Sequence, residues 1–241
     1  APLQSGEESS DWLHYETTPT QSKQQFRFAL VLDFEATCFE AGGIKLKAPQ
    51  EIIEFPVVII DLLTPQGEAV AEFHRYVRPT EIPRLSQFCT ELTGITQDMV
   101  DGQATIDIVL REFVAWVEAQ PFLVKGNGVD STSNFVLCTC GDWDLKTMFP
   151  TEIKRKGLTE LVPAWLRGGW CNVKAHFEAV TGTRAKGMPG MLNFLRLPLV
   201  GRHHSGIDDT RNIARILQRL VCEWGDPVLI TKTPHPAAWA E

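Results

Sequence analysis

Long apolar runs separated by short polar breaks dominate the first half of the chain, a pattern typical of β-strands joined by turns. Apolar runs cover 26–35 and 52–63, and a Thr-Pro-Gln-Gly turn signal at 64–67 leads to a third run at 69–79. Consecutive strands joined by a short turn favour antiparallel pairing. We therefore predict that the fold begins with three antiparallel strands.

The second half of the chain changes to a helical period. Apolar residues recur there with the spacing of one helix face, at Ile106, Val109, Leu110, Phe113, Val114 and Val117. Strands followed by alternating helices and strands predict an α/β fold, in which helices cover the faces of a mixed sheet. The short strands are predicted at 122–127 and 134–139, and the further helices from 142 onward, at 152–161, at 172–181 and at 208–224.

Local composition predicts three regions along the 241 residues. Residues 1–25 are polar and predict a loosely ordered lead-in. Residues 26–224 contain no repeat or linker and are predicted to form one domain. Residues 225–241 hold three prolines, so we expect an extended or partly disordered tail.

The overall composition, with 44% hydrophobic and 22% charged residues, is that of an ordinary globular protein. No window approaches the ~18 uninterrupted apolar residues of a membrane span, so no membrane association is expected. Six cysteines without a CxxC pair favour a reduced, intracellular protein, and leave the compartment open. The net charge of −7 argues against a generic nucleic-acid binder, which is usually basic, but allows an enzyme that meets phosphates through bound metal ions.

Two carboxylates interrupt the first apolar run, in the stretch VLDFEATCFE at residues 31–40. Side chains alternate between the two faces of a strand, so Asp33 and Glu35 project from the same face. A divalent cation relieves the repulsion between two such carboxylates, and hard oxygen ligands suit Mg²⁺ or Mn²⁺. The pattern therefore predicts a metal site, with a solvated pair of acids at a strand end as the alternative.

A further carboxylate is predicted to point inward from the last helix. One turn before Ile213, the apolar stripe of this helix contains Asp209, and a buried carboxylate needs a partner. Asp208 falls off the stripe and fits a helix N-cap or first-turn acid. His204 precedes the helix and is a general-base candidate, and His203 is the alternative because it differs only in register.

Two more aspartates flank Trp143 in the stretch CTCGDWDLKTM, at residues 138–148, where a strand gives way to a helix. Functional residues are common at such strand ends in α/β sheets. These residues alone leave both Asp142 and Asp144 open as site acids. Trp143 fits either a core aromatic or a stacking face beside the site.

Taken in order, DFEATCFE, WDLK and HSGIDD resemble the three exonuclease motifs of the DEDDh 3′-to-5′ exonucleases, and more specifically those of the Eri branch of exoribonucleases. The stretches APQEIIEFPVVII, FHRYVRP and FCTELTGITQDMVDG support the resemblance, which covers about residues 26–222. It implies an RNase H-like α/β fold with a mixed five-stranded sheet flanked by helices. It also implies a metal-dependent 3′-to-5′ exoribonuclease that releases 5′-mononucleotides from RNA 3′ ends.

The family pattern implies a catalytic site of four acids and one histidine, namely Asp33, Glu35, Asp144, Asp209 and His204. It favours Asp144 over Asp142 because an aromatic residue precedes this acid in the family. It favours His204 over His203 because four residues separate the histidine from the last acid. The four acids would hold two ions of Mg²⁺ or Mn²⁺, and His204 would act as the general base toward the attacking water.

The resemblance also implies where the 3′ end of a substrate would bind. The backbone of Ala36, Thr37 and Cys38 is expected to meet the terminal sugar. The candidates to hold the last base are Phe88, Leu92 and Trp143, although the first two fit core positions equally well.

The expected partners are RNA with a free 3′ end and, beyond it, proteins of a ribonucleoprotein. RNA is favoured over DNA by the family branch only. The alternatives are a non-catalytic RNA-binding or scaffold protein of the same fold in a ribonucleoprotein, and a DNA 3′ exonuclease. Six basic residues fit either a path for the phosphate chain or a solvated surface: Lys154, Arg155, Lys156, Arg184, Lys186 and Arg202.

Overall fold

A mixed β-sheet of six strands lies at the centre of the computed structural model, which describes residues 25–41, 44–45, 48–64, 69–124, 133–234 and 239. Two very short strands, β3 and β4, form a separate antiparallel ladder. In chain order the strands are β1 (Phe28–Leu32), β2 (Glu35–Ala36), β3 (Glu40–Ala41), β4 (Ile44–Lys45), β5 (Ile52–Asp61), β6 (Ala69–Tyr76), β7 (Phe135–Thr139) and β8 (Trp170–Asn172).

The main sheet has the order β6-β5-β1-β7-β8, and β2 follows β1 along the same edge of β5. The first three long strands, β1, β5 and β6, pair antiparallel as predicted, whereas β7 and β8 run parallel to β1. The implied mixed sheet is therefore confirmed, with five positions across it and β2 as a sixth, short strand. The centre of the sheet is apolar because helices cover both of its faces.

Seven α-helices and one π-helical segment, Trp143–Met148, surround the sheet in the described part of the chain. Alternate residues of β1 enter different cores: Leu30 packs with α3 and α4, and Val31 packs with α5, α6 and α7. No helix in this part is both long enough and apolar enough to span a membrane. The helices are α1 (Gln87–Thr93), α2 (Gln97–Val100), α3 (Ile106–Glu118), α4 (Phe149–Arg155), α5 (Val173–Thr181), α6 (Gly187–Phe194) and α7 (Gly206–Trp224).

Several predicted boundaries are wrong. The helix predicted at 152–161 is α4, which ends at Arg155 because Gly157 adopts φ 65° and turns the chain. The first strand ends at Leu32 rather than at Glu35. Of the strand predicted at 122–127, the residues 122–124 form a turn and a loop, and the rest lies outside the described residues.

The ends of the chain are described only in part. The lead-in predicted for residues 1–25 lies outside the described residues up to position 24. After α7, Val228 is fully buried, and the N–H groups of Thr231 and Lys232 donate to the Trp170 carbonyl of β8. This part of the predicted tail therefore packs along the edge of the sheet.

Candidate active site

The first strand breaks where its two acidic residues begin. β1 pairs with β5 as far as Leu32, and β2 resumes the pairing at Glu35 with a register shift before Ala36. Such irregularities in a ladder redirect side chains. The phenyl ring of Phe34 turns into the core. The backbone N–H of Phe34 donates a 2.9 Å hydrogen bond to Asp144 Oδ1. The break thus joins the first acidic motif to the second.

Asp144 lies in the first turn of the π-helical segment and is 4% exposed. Single π-turns occur frequently at functional sites, because the extra residue per turn displaces side chains from their helical positions. Gly141, with φ 126°, allows the chain to turn from β7 toward this segment.

Asp209 lies in the first turn of α7 and is 3% exposed, on the inward face that the periodicity predicts. Its Oδ2 accepts the N–H of His204 at 2.9 Å and lies 2.9 Å from His203 Nδ1. The two imidazole rings stack with centroids 3.9 Å apart. His204 has φ 67°, a left-handed conformation that turns the chain into the helix.

The structure brings ligand atoms of Asp33, Glu35 and Asp209 within 4.8 Å of one another. The same holds for His203, His204 and Asp209. The fourth acid, Asp144, interacts electrostatically with Asp33. Carboxylate oxygens so close together fit a hard divalent cation, which would offset their mutual repulsion.

Burial raises the pKa values of these acids, and repulsion among the carboxylates raises those of Asp33 and Glu35 further. Burial, followed by the charges of Asp144, Glu35 and Asp209, raises the pKa of Asp33 well above its ordinary value. Burial and the neighbouring Glu54, Asp209 and Asp144 raise the pKa of Glu35 to about 9. Burial raises the pKa of Asp144 to about 6, against the lowering effect of the Phe34 N–H. A bound divalent cation would favour the ionised forms of these acids.

Glu54 is a functional neighbour that the sequence analysis missed. It lies on β5, is 1% exposed, and accepts the N–H groups of Gly206 at 2.9 Å and Ile207 at 3.1 Å. The cap residue Ser205 makes no such side-chain bond, so Glu54 caps α7 from the sheet. His74 Nε2 lies 2.8 Å from the same carboxylate. A carboxylate inside an apolar strand is the signal that would have found it.

The approach of α7 to the first acidic motif requires a glycine. A Cβ atom on Gly206 would lie 2.9 Å from the Asp33 carbonyl oxygen and 3.0 Å from Glu54 Oε2. A side chain at this position would push the helix start, and Asp209 with it, away from the other acids.

Asp142 and Asp208, which lie close in sequence to the site acids Asp144 and Asp209, bond to other partners. Asp142 Oδ1 accepts hydrogen bonds from Asn172 Nδ2 at 2.9 Å and from Trp170 Nε1 at 3.3 Å, which ties the end of β7 to β8. Asp208 Oδ2 accepts the N–H of Arg202 at 2.9 Å. Both carboxylates stabilise the loops that precede the site acids.

The residues expected to meet a substrate lie in the segment after Glu35, on α1 and directly before Asp144. The carbonyls of Ala36, Thr37 and Cys38 accept bonds from Cys89 Sγ, Gln50 Nε2 and Ser86 Oγ, respectively, so this backbone segment is firmly held. Phe88 and Leu92 are half-buried on one face of α1 and belong to none of the buried clusters of the described residues. Trp143 is 41% exposed and lines a cavity of about 180 Å³ with Pro49, Met148 and Arg155.

Three of the six basic residues proposed for a phosphate path form internal contacts. Lys156 makes ion pairs with the buried Glu51 and Glu152 at 2.7 and 2.8 Å. Arg155 pairs with Glu81, and Arg202 donates to the carbonyls at the end of α1. Arg184 and Lys186 are exposed. Lys174, a residue absent from the sequence-based set, lowers the pKa of Asp33 and of Asp144 by its positive charge.

Comparisons with known proteins agree with this architecture. Residues 30–217 match the model of the exonuclease family RNase_T. The chain is 36% identical to ERI1 exoribonuclease 2 of Xenopus laevis over 88% of its length, and 41% identical to ERI1 exoribonuclease 3 of Homo sapiens over 82%. It spans only 31% and 54% of the lengths of these two relatives. The 3′-5′ exonuclease Snipper of Drosophila melanogaster is 34% identical over 88% of this chain and 75% of its own.

Solved structures give the same result. The nuclease domain of 3′hExo, a DEDDh family member bound to rAMP, superposes with a TM-score of 0.75 and 30% identity. The match covers 86% of this chain and 98% of that domain. DEDDh exonucleases are metal-dependent, in agreement with the donor set of the acidic cluster. The chain belongs to the RNase_T exonuclease family and, within it, to the DEDDh 3′-5′ exonucleases.

Proposed function

We propose that this chain is a 3′-to-5′ exoribonuclease that releases 5′-mononucleotides from the 3′ end of RNA. One observation carries the proposal: the carboxylates of Asp33 and Glu35, after β1 and at the start of β2, converge within 4.8 Å with that of Asp209 on α7, which also lies beside two histidines. RNA is proposed as the substrate class because relatives matched over most of this chain are named exoribonucleases.

The four acids Asp33, Glu35, Asp144 and Asp209 are proposed to hold two ions of Mg²⁺ or Mn²⁺. When bound, the ions supply charge for the attacking water and for the leaving 3′ oxygen. The raised pKa values of Asp33 and Glu35 support the assignment, because a bound cation stabilises the ionised carboxylates that repulsion otherwise disfavours.

His204 is proposed as the general base that takes a proton from the attacking water. Its backbone N–H is bonded to Asp209, so the residue is anchored to the acidic cluster. We further propose that Ala36, Thr37 and Cys38 meet the terminal sugar. Phe88, Leu92 and Trp143 would hold the terminal base, since all three offer apolar surface that is not fully buried.

The test is degradation of 5′-labelled single-stranded RNA and DNA of the same sequence, with Mg²⁺ or Mn²⁺ and with EDTA. We expect metal-dependent shortening of RNA from its 3′ end and release of 5′-mononucleotides. Asp33→Asn should remain folded and lose this activity, because it removes a charged ligand from the centre of the acid cluster. Faster degradation of DNA would identify a DNA exonuclease, and binding without degradation would identify a non-catalytic RNA-binding protein.

A further inference from the structure

Helix α1 is held at its two ends by two different segments of the candidate site. At its start, the N-cap residue Ser86 donates from Oγ to the Cys38 carbonyl at 2.6 Å. Cys38 belongs to the segment proposed to meet the terminal sugar. In the last turn of the helix, the guanidinium group of Arg202 donates to the carbonyls of Glu91 at 2.7 Å and Leu92 at 3.2 Å. The helix therefore bridges the sugar segment and the loop that carries the two histidines.

The guanidinium group of Arg202 lies over the glycine that ends α1. Gly94 is the C-cap residue with φ 79°, and a Cβ atom on it would overlap with Arg202 Nη1. The last carbonyls of a helix have no acceptor role within the helix itself, and an arginine satisfies them while its charge interacts favourably with the helix dipole. A side chain 111 residues after Glu91 thus caps this helix.

The backbone of Arg202 belongs to the turn that carries His203 and His204. The Arg202 carbonyl accepts the Ser205 N–H at 3.1 Å, a bond of the kind that closes a β-turn with the two histidines at its centre. The Arg202 N–H donates to Asp208 Oδ2 at 2.9 Å, and the His204 N–H adds a bond to the first turn of α7. These backbone contacts do not involve the guanidinium group, so its loss should leave the histidine turn in place.

The last turn of α1 depends more strongly on this contact. A helix of seven residues is too short to be stable by itself, so tertiary contacts decide where it lies. Leu92, whose carbonyl Arg202 holds, and Phe88, one turn earlier, share one face of the helix and are half-buried. Both are proposed to hold the terminal base of the substrate. The position of this apolar face is therefore set in part by Arg202.

We propose that Arg202 is a positioning residue for recognition of the terminal base. Its guanidinium group fixes the last turn of α1, and with it Leu92 and Phe88, relative to the histidine turn. Arg202 acts through the helix and touches neither the base nor the cleaved bond. This inference rests on the proposed exonuclease function and extends it by naming a residue that sets the base subsite.

The experiment compares two RNAs of the same sequence, one ending in adenosine and one ending in a ribose without a base, at saturating Mn²⁺. Arg202→Met should lower kcat/KM about 10-fold for the RNA with the terminal base and less than about twofold for the abasic RNA, because it removes a charged donor that acts through the base subsite. The loss should appear mainly in KM, since the base is bound in the substrate and in the transition state alike.

Gly94→Ala is the second variant, because its Cβ atom would displace the guanidinium group without removing it. It should reproduce the loss that depends on the base, and its cost should be small when it is added to Arg202→Met. Gly102→Ala is the matched control for backbone strain, since Gly102 has φ 78° and a Cβ atom there would meet nothing within 4 Å.

Arg167→Met is the matched control for the lost hydrogen bonds. The guanidinium group of Arg167 also donates to two backbone carbonyls, those of Val162 and Thr159, at 2.9 and 2.6 Å. These residues belong to none of the elements that carry the proposed site. Arg167→Met and Gly102→Ala should both cleave the two RNAs in the same ratio as the wild type.

Amide hydrogen exchange without substrate tests the placement of α1 independently of activity. In Arg202→Met, the amides at the C-terminal end of α1 should exchange about 10-fold faster, because this end loses its contact with the histidine loop. The amides in the first turn of α7 should exchange as in the wild type, since Glu54 still holds that turn.

An equal loss for both RNAs in Arg202→Met would overturn the assignment, because a direct phosphate contact or a general loss of structure would produce it. Unchanged exchange of α1 would also overturn it, as would a loss that depends on the base in either control. If the wild type degrades neither RNA, the proposed exonuclease function fails and the role in base recognition fails with it. The exchange data would still decide whether Arg202 holds α1, so the two failures are distinguishable.

Discussion

Asp209 connects the acid cluster to both histidines, and the two contacts differ in kind. His204 donates its backbone N–H to the carboxylate, so this contact does not involve its ring. His203 approaches the same carboxylate with its ring nitrogen. This contact would be lost when Asp209 binds a cation. The two residues should therefore respond differently to substitution.

His204→Ala should lower the single-turnover rate of RNA cleavage by roughly 10²–10⁴, the usual contribution of a general base. Its affinity for Mn²⁺ should change little, since His204 is not proposed as a ligand. His203→Ala should cost far less activity. Cleavage of a short RNA at saturating Mn²⁺, with calorimetry for the metal, measures both. A larger loss for His203→Ala would move the base to that residue.

Two pairs of aspartates that lie close in sequence, Asp142 with Asp144 and Asp208 with Asp209, provide a second comparison of single residues. Asp144→Asn and Asp209→Asn should each abolish most activity and weaken Mn²⁺ binding, because they remove charged ligands. Asp142→Asn and Asp208→Asn should retain most activity, since these carboxylates bond to Asn172 and Arg202 rather than to the acid cluster. Activity and metal affinity of the four variants are the measurements. The reverse ranking would show that the ligands are assigned to the wrong members of the pairs.

At the scale of elements, the start of α7 depends on a carboxylate from the sheet. Glu54 accepts two N–H groups of the first turn, and this turn carries Asp209. A buried charged acceptor at a helix N-terminus both satisfies unpaired donors and interacts favourably with the helix dipole. Glu54 therefore positions Asp209 without being a proposed ligand.

Glu54→Ala should lower the free energy of unfolding by about 1–3 kcal/mol, because two buried donors lose a charged acceptor. Activity should fall as well, since the helix start is no longer held against β5. Urea unfolding and single-turnover cleavage measure the two effects. Glu72→Ala is the matched control, because it removes an exposed ion pair between Arg211 of α7 and the sheet, worth roughly 0–1 kcal/mol. An equal effect of both variants would contradict the capping role.

At the scale of the whole molecule, the acid cluster makes the stability of the metal-free protein depend on pH. The pKa of Glu35 is raised from 4.5 to about 9, and that of Asp33 is raised as well. The folded state therefore binds these protons more tightly than the unfolded chain. Stability from this source is full below the ordinary pKa and is lost as the pH rises through the raised values.

In EDTA, the melting temperature should fall by several degrees between about pH 5 and pH 9. With saturating Mn²⁺ the protein should melt at a higher temperature, and the fall should be smaller, because the cation binds the ionised carboxylates of the native state. Glu35→Gln removes one of the titrating groups and should flatten the EDTA curve. Thermal melts across this range, with and without metal, test the prediction. A curve in EDTA that rises with pH would contradict the repulsion among the acids.

Much of the site could be predicted from local pattern. Long apolar runs placed the antiparallel strands. The helical stripe that continues from Ile213 placed Asp209, one turn earlier, inward, where the structure has it. The predicted ends of the elements were less accurate than their existence. The helix predicted at 152–161 is α4, which begins three residues earlier and ends at Arg155. The helix α6, GMPGMLNF, was not predicted because its glycines and proline weaken the helical signal.

The sequence by itself determined which residues are acidic, which face of an element each occupies and in which order the three motifs occur. Only the tertiary structure decided that the Phe34 N–H meets Asp144, 110 residues away, and that Glu54 caps a helix 152 residues later. Periodicity reports local burial, whereas these contacts depend on strand order and on the register of β1, β5 and β7 in one sheet. The chemistry of the site is therefore encoded locally, and its geometry is set by packing between distant segments.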